Sequence, residues 1–182
     1  MKKLTLKGMI LAAVFAALTG ILTQVQIPLP YIPINLALFS VYLAGALLGP
    51  KYGALSMIVY VLIGAVGVPV FSGFSGGLQK VAGPTGGYIV GYVACAFLTG
   101  FLSRRWGLGK WNLKLALALV IGTLSCYTLG TAWFMIMTQN SLWVSLGYCV
   151  FPFLPGEAVK ITLAALLASR LRAPLQKSGW SE

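Results

Sequence analysis

A chain of 182 residues that is 59% apolar and only 8% charged carries more apolar side chain than water tolerates, since soluble chains average about 45–50% apolar and 25% charged. Its mean hydropathy of +0.91 makes lipid the solvent to expect. With no histidine and two acids, Glu157 and Glu182, paired-carboxylate chemistry and Ser-His or Cys-His nucleophiles are excluded. No metal-ligand spacing and no phosphate-cradling glycine-lysine loop is present, so neither enzyme activity, a metal nor a cofactor is expected.

The apolar runs are continuous rather than alternating: 8–25, 34–49, 52–68, 87–103, 115–137 and about 142–169. Continuous runs of this length predict membrane helices, whereas barrel strands would alternate. In chain order, Lys2, Lys3 and Lys7 precede the first run, which continues to Val25. That is span length without a small-residue cleavage site, so it is expected to be retained rather than removed as a signal peptide. The longest non-helical segment is 69–86, PVFSGFSGGLQKVAGPTG. Its Val70, Phe71, Phe74, Leu78 and Val81 are expected to fold onto the bundle as an external lid loop. Pro152, Pro155 and Gly156 interrupt the last run, and proline fits the first turn of a helix better than its interior. A final span over 155–170 follows, with 139–154 as an external connection or short re-entrant piece. The expected fold is therefore all-α, one membrane domain over residues 1–182 built as a six-helix bundle. Cys95, Cys126 and Cys149 lie in or beside apolar runs, where packing is their expected role.

Of the 13 lysines and arginines, all but Lys80 and Lys160 flank spans on one side. They are Lys2, Lys3, Lys7, Lys51, Arg104, Arg105, Lys110, Lys114, Arg170, Arg172 and Lys177. By the positive-inside rule both termini face the cytoplasm of a cell membrane, with 69–86 outside. The net charge of +11 is thus accounted for by short juxtamembrane groups facing anionic lipid, without the concentrated basic stripe a nucleic acid would need.

Glu157 and Lys160 are the ionisable pair inside a predicted span, and three residues apart they share a helix face. Charge inside a membrane is expensive and faces a partner, a cavity or a ligand. Two readings stand: an ion pair that locks the bundle, or a binding site near the external end of the last span. In the second, the carboxylate accepts ligand N–H groups and the ammonium meets an anionic group or steadies the carboxylate.

The stretch GALLGPKYGALSMIVYVLIGAVGVPVFSGFSGGLQKVAGPTGGYIVGY (45–92) with FLPGEAVK (153–160) closely resembles the BioY family, the biotin-binding S components of energy-coupling factor transporters. The resemblance covers essentially the whole chain and rests on GVPVFSGFSGG, GPTGGY and PGExxK together. It implies capture of biotin from outside and delivery to the cytoplasm when docked on one membrane T component and two ATPase subunits, which supply the ATP hydrolysis. The family's usual Asp-x-x-Lys corresponds here to Glu157 and Lys160, one methylene longer. Its usual PxTxQ corresponds to Pro33, Asn35 and Ala37, so Asn35 is the polar candidate there and the glutamine amide is absent. The implied biotin site comprises Glu157 and Lys160, Gln79 as a second polar contact, and Tyr88, Phe71 and Phe74 packed on the ring and tail. Thr85, Gly86 and Gly87 stand at the start of span four, where backbone N–H groups favour a carboxylate.

Span one carries Ala12, Ala13, Ala16 and Ala17 at small-xxx-small spacing, which lets helices approach closely. Packing inside the bundle is one reading; docking on the T component, which the resemblance implies, is the other. Two further classes remain: a self-sufficient secondary transporter or channel, of which ion-coupled carriers commonly show related halves or intramembrane acids, and a ligand-free scaffold, which has no use for Glu157 and Lys160. Tight stoichiometric biotin binding separates both from an S component.

Overall fold

The computed structural model describes residues 5–29, 31–106 and 113–177, in which helix predominates. Lys2, Lys3, Lys110 and Glu182 lie outside the described residues. The first helix, α1 (Leu6–Gln24), begins where the Thr5 hydroxyl accepts a hydrogen bond from Gly8 N at 3.2 Å. A two-residue hairpin follows, β1 (Gln26–Ile27) against β2 (Ile34–Asn35), and then α2 (Ala37–Ala65). After it come α3 (Leu78–Ala82), α4 (Gly86–Arg105), α5 (Leu113–Thr138), the short α6 (Leu142–Cys149), a 3-10 turn at Phe151–Phe153 and α7 (Leu154–Lys177).

The burial pattern is that of a protein in lipid. On α1 the inward residues are Ala12, Ala16, Thr19 and Gly20, while Leu6, Ile10, Val14 and Ile21 point outward. Small residues inside and large aliphatic ones outside let helices approach closely and leave the apolar bulk to the bilayer. Hydroxyls inside the bundle return their protons to the helix: Thr19 to Phe15 O and Thr123 to Leu119 O, each at 2.8 Å. No water is needed to satisfy them. Among the described residues, five helical segments are long and apolar enough to cross a membrane.

The second of these is not one rod. Gly49 at φ 77°, ψ −175° breaks α2 before Pro50, a backbone region open to glycine because it has no Cβ. The two limbs fold back on each other. Thr19 Oγ1 lies 2.9 Å from Ser40 Oγ and 3.9 Å from Met57 Sδ, although an unbroken helix would separate residues 40 and 57 by about 26 Å. The separate runs 34–49 and 52–68 expected from the sequence are these two limbs. Close backbone approach then joins α2 to α4, where a Cβ on Gly45 would lie 2.7 Å from Ala96 O. α4 in turn packs along α5.

Three details depart from the sequence reading. The segment 69–86 is not wholly irregular, because it contains α3 and an antiparallel bridge between Phe71 and Ser75. Phe74 and Leu78, expected to fold inward, point away at 74% and 71% exposed. Phe74 has φ 52° within a tight turn that directs its ring outward. The last helix also runs to Lys177 rather than ending near 170.

Candidate functional site

Glu157 lies in the first turn of α7, where the chain enters through Pro152 in the 3-10 turn and Pro155 in the opening helical turn. A carboxylate there meets the positive end of the helix dipole. Both Glu157 and Lys160 are buried, at 3% and 6% exposed. Lys160 Nζ donates to Glu157 Oε1 and, at 3.1 Å, to Asn35 O. On the other side Tyr42 donates its hydroxyl proton to Glu157 Oε2 at 2.7 Å, and Thr123 Oγ1 stands 2.5 Å behind the Tyr42 oxygen. Close contacts between Thr123 and Tyr42 and between Tyr42 and Glu157 thus link α5, α2 and α7 at the carboxylate. Tyr127, one turn beyond Thr123, brings a second phenol close to Glu157, and its hydroxyl is buried without a partner.

Two capacities stay open. A carboxylate offers about four acceptor positions and an ammonium three donors, whereas the hydrogen bonds among the described residues use two of each. These groups face a cavity of about 50 Å³, walled by tyrosines 60, 88, 92 and 127 together with Phe71 and Phe153. That holds a few waters and is smaller than the roughly 300 Å³ or more of a pocket for a drug-sized ligand. Lys80, from α3, also lines it. Two lysines against one carboxylate leave the cavity with a surplus of one positive charge.

The residues singled out in the sequence divide. Glu157, Lys160, Asn35, Phe71, Tyr88 and Thr85 come together on this cavity. Asn35 is already occupied: Oδ1 accepts from Ala37 N at 3.0 Å and Nδ2 donates to Ser72 Oγ at 2.8 Å, tying the start of α2 to the 69–86 segment. Tyr88 shares a proton with Thr131 Oγ1 at 2.9 Å. Gln79 does not reach the cavity; it is exposed, and its neighbour Lys80 turns inward instead. Phe74 is likewise outside it. Gly86 and Gly87 are buried against Val81 and Trp133, and Gly86 N donates to Gly83 O at 2.9 Å. Tyr42, Thr123, Tyr127 and Lys80 were missed. The i, i+4 pair Tyr88 and Tyr92 and the mid-span Tyr127 were the available signal, because a polar-tipped ring deep in a span needs a partner.

Residues 1–177 match the BioY family. The chain belongs to that family. Over 166 residues it is 37% identical to the probable biotin transporter BioY of Pyrococcus horikoshii, covering 91% of this chain and 96% of that one. Over 168 residues it is 36% identical to the biotin transporter BioY of Thermotoga maritima, covering 92% and 96%. It also superposes with TM-score 0.84 and 29% identity on a crystal structure of the S-component for biotin from an ECF-type ABC transporter, over 94% of this chain and 95% of that one.

For this BioY chain the alanines of α1 are sorted by the helix face. Ala12 and Ala16 are buried in the bundle at 1% and 4% exposed, which removes them from any docking surface. Ala13 and Ala17 face outward.

Proposed function

We propose that this chain is the S component of an ECF transporter, a substrate-binding subunit and not an enzyme, that takes biotin from the external side through the cavity around Glu157. The observation that carries this is the charge and donor balance of the cavity. One surplus positive charge suits an anionic ligand, while a carboxylate with two unused acceptor positions suits paired ureido N–H groups. Tyrosine and phenylalanine walls suit the apolar ring and tail. The orphan Tyr127 hydroxyl is a donor for the ureido oxygen. Since the cavity is small, the 69–85 segment acts as a lid that yields when biotin enters.

Delivery follows from docking on a T component through the outward face of α1 at Ala13 and Ala17, with ATP hydrolysed by two partner ATPase subunits. The two limbs of α2 cross the membrane separately, giving six spans, with both termini in the cytoplasm. Labelling of a cysteine at Lys110 by an impermeant reagent in intact cells would contradict that orientation. The binding proposal is tested by calorimetric titration of purified protein in detergent. Stoichiometric, tight biotin binding is expected, and no saturable heat would overturn it.

A further inference from the structure

The segment that covers the cavity turns two large apolar side chains, Phe74 and Leu78, away from it, and both are well exposed. Phe74 does so from a left-handed backbone, φ 52°, which a bulky residue rarely adopts. Hydrogen bonds tie both residues to helix ends whose own surface is apolar. Phe74 N donates to Gln24 Oε1 at 2.9 Å at the close of α1, where Ile21 and Val25 are exposed. Gly77 N donates to Gly64 O at 2.7 Å, which brings Leu78 to the close of α2, where Leu62 and Val66 are exposed. The two side chains thus continue the lipid-facing surface of α1 and α2.

Depth and charge both point to lipid as what covers them. The 19 residues of α1 make a helix about 28 Å long, close to the roughly 30 Å of a bilayer's hydrocarbon core. A ring held at Gln24, its last residue, stands at the edge of that core and not above it. The charged side chains that the described residues place at this end, Lys80, Glu157 and Lys160, all line the cavity, so the outer rim carries no charge to meet the polar border of a docked soluble protein. Across the mouth, Trp143 and Tyr148 of α6 are exposed as well, and aromatic rings collect at the boundary between headgroups and acyl chains.

We infer that Phe74 and Leu78 insert into the outer edge of the bilayer, so that the segment over the cavity is held partly by lipid. The insertion adds to the hydrogen bonds that fasten the segment, and a hydrated side chain at position 74 loosens it. The placement in lipid stands apart from the biotin site; its effect on ligand release rests on the proposed function.

Spin labels on Phe74→Cys, Leu62→Cys and Gln79→Cys, in the full chain held in phosphatidylcholine nanodiscs without biotin, test the placement. The three native cysteines are buried and stay in place. The label at 74 should collide with oxygen more than with a water-soluble nickel chelate, as at 62, while the label at 79 shows the reverse. The pattern of 79 at position 74 would overturn the insertion. A label at 74 shielded from both reagents would put a second copy of the chain over the segment, and would overturn it too. In the same nanodiscs Phe74→Ser should release labelled biotin roughly five-fold faster than Phe74→Leu, and equal rates would overturn the restraint by lipid. If the parent chain binds no biotin, the proposed function fails, and the collision pattern still decides the insertion.

Discussion

Glu157→Gln is the sharpest test of the cavity, because the two readings of the residue give different results. The substitution keeps the shape and one acceptor, which Tyr42 still reaches, but removes the charge opposite Lys160. In the ligand reading, two carboxylate positions not used in the empty site receive N–H groups when biotin binds. A hydrogen bond to a charged group contributes about 1.5–3 kcal/mol, so roughly ten-fold to a hundred-fold or more of affinity is lost. If Glu157 only locks the bundle, the cost falls on stability instead: breaking a buried pair costs about 3–5 kcal/mol because the remaining charge is stranded. Calorimetry for affinity and ligand-free thermal unfolding for stability, run on one preparation, separate them. Glu157→Asp is the control, since it keeps the charge and is the residue the family resemblance implies at this position. It should retain most of the binding. A well-folded Glu157→Gln protein that binds biotin as tightly as the parent would remove this carboxylate from the site.

Lys80→Met removes the surplus positive charge of the cavity and should weaken biotin by about 1 kcal/mol, roughly five-fold, while leaving neutral biotinamide unaffected; equal losses for both ligands in calorimetry would place Lys80 outside the charge recognition. Ala13→Trp should fold and bind biotin yet abolish uptake of labelled biotin by cells, whereas Ala12→Trp should fail to fold, because its ring would enter the bundle. Normal uptake with Ala13→Trp would refute docking through this face. Gln24→Ala cuts the amide that bonds Val70 O at 3.3 Å, Phe71 O at 3.1 Å and Phe74 N at 2.9 Å. It should therefore speed biotin release in a stopped-flow chase, and an unchanged rate would show that the 69–85 segment does not limit exit.

The helices were legible in the sequence because a span must be apolar over its whole length, a requirement strong enough to survive without any amphipathic pattern. The Glu157–Lys160 pair was legible for the same reason in reverse, as charge where charge is costly. Side-chain direction was not legible. In a helix apolar on every face, nothing local distinguishes Ala12 from Ala13, and only the packing of α1 on α2 turns one in and the other out. The choice between Gln79 and Lys80 was decided by the register of a five-residue helix that starts after Gly77 at φ 95°. The hairpin at 26–35 escaped notice because each strand is two residues long and prolines surround it. Tyr42 looked like ordinary apolar filling, since its role depends on Thr123, 81 positions away, and Glu157, 115 away.

That dispersion of partners bears on how the site can work. The carboxylate is held from α2 and α7 by Tyr42 and Lys160, with Thr123 of α5 behind Tyr42, and α2 and α5 each meet α4 through glycine contacts that leave little slack. Spreading α2 from α4 to make room for a ligand would give up the close packing in which Gly45 stands against the Ala96 carbonyl. The covering segment is different. Its attachments include side-chain bonds from Gln24, Asn35, Tyr60 and Trp133, the backbone bond from Gly77 N to Gly64 O at 2.7 Å, and the packing of Phe71 on Tyr60. Each hydrogen bond contributes only about 1 kcal/mol net, so local opening of this segment costs far less than separating helices. On the proposed function, room for the ligand comes from the loop, which carries Lys80 with it, while Glu157 and Lys160 stay on α7.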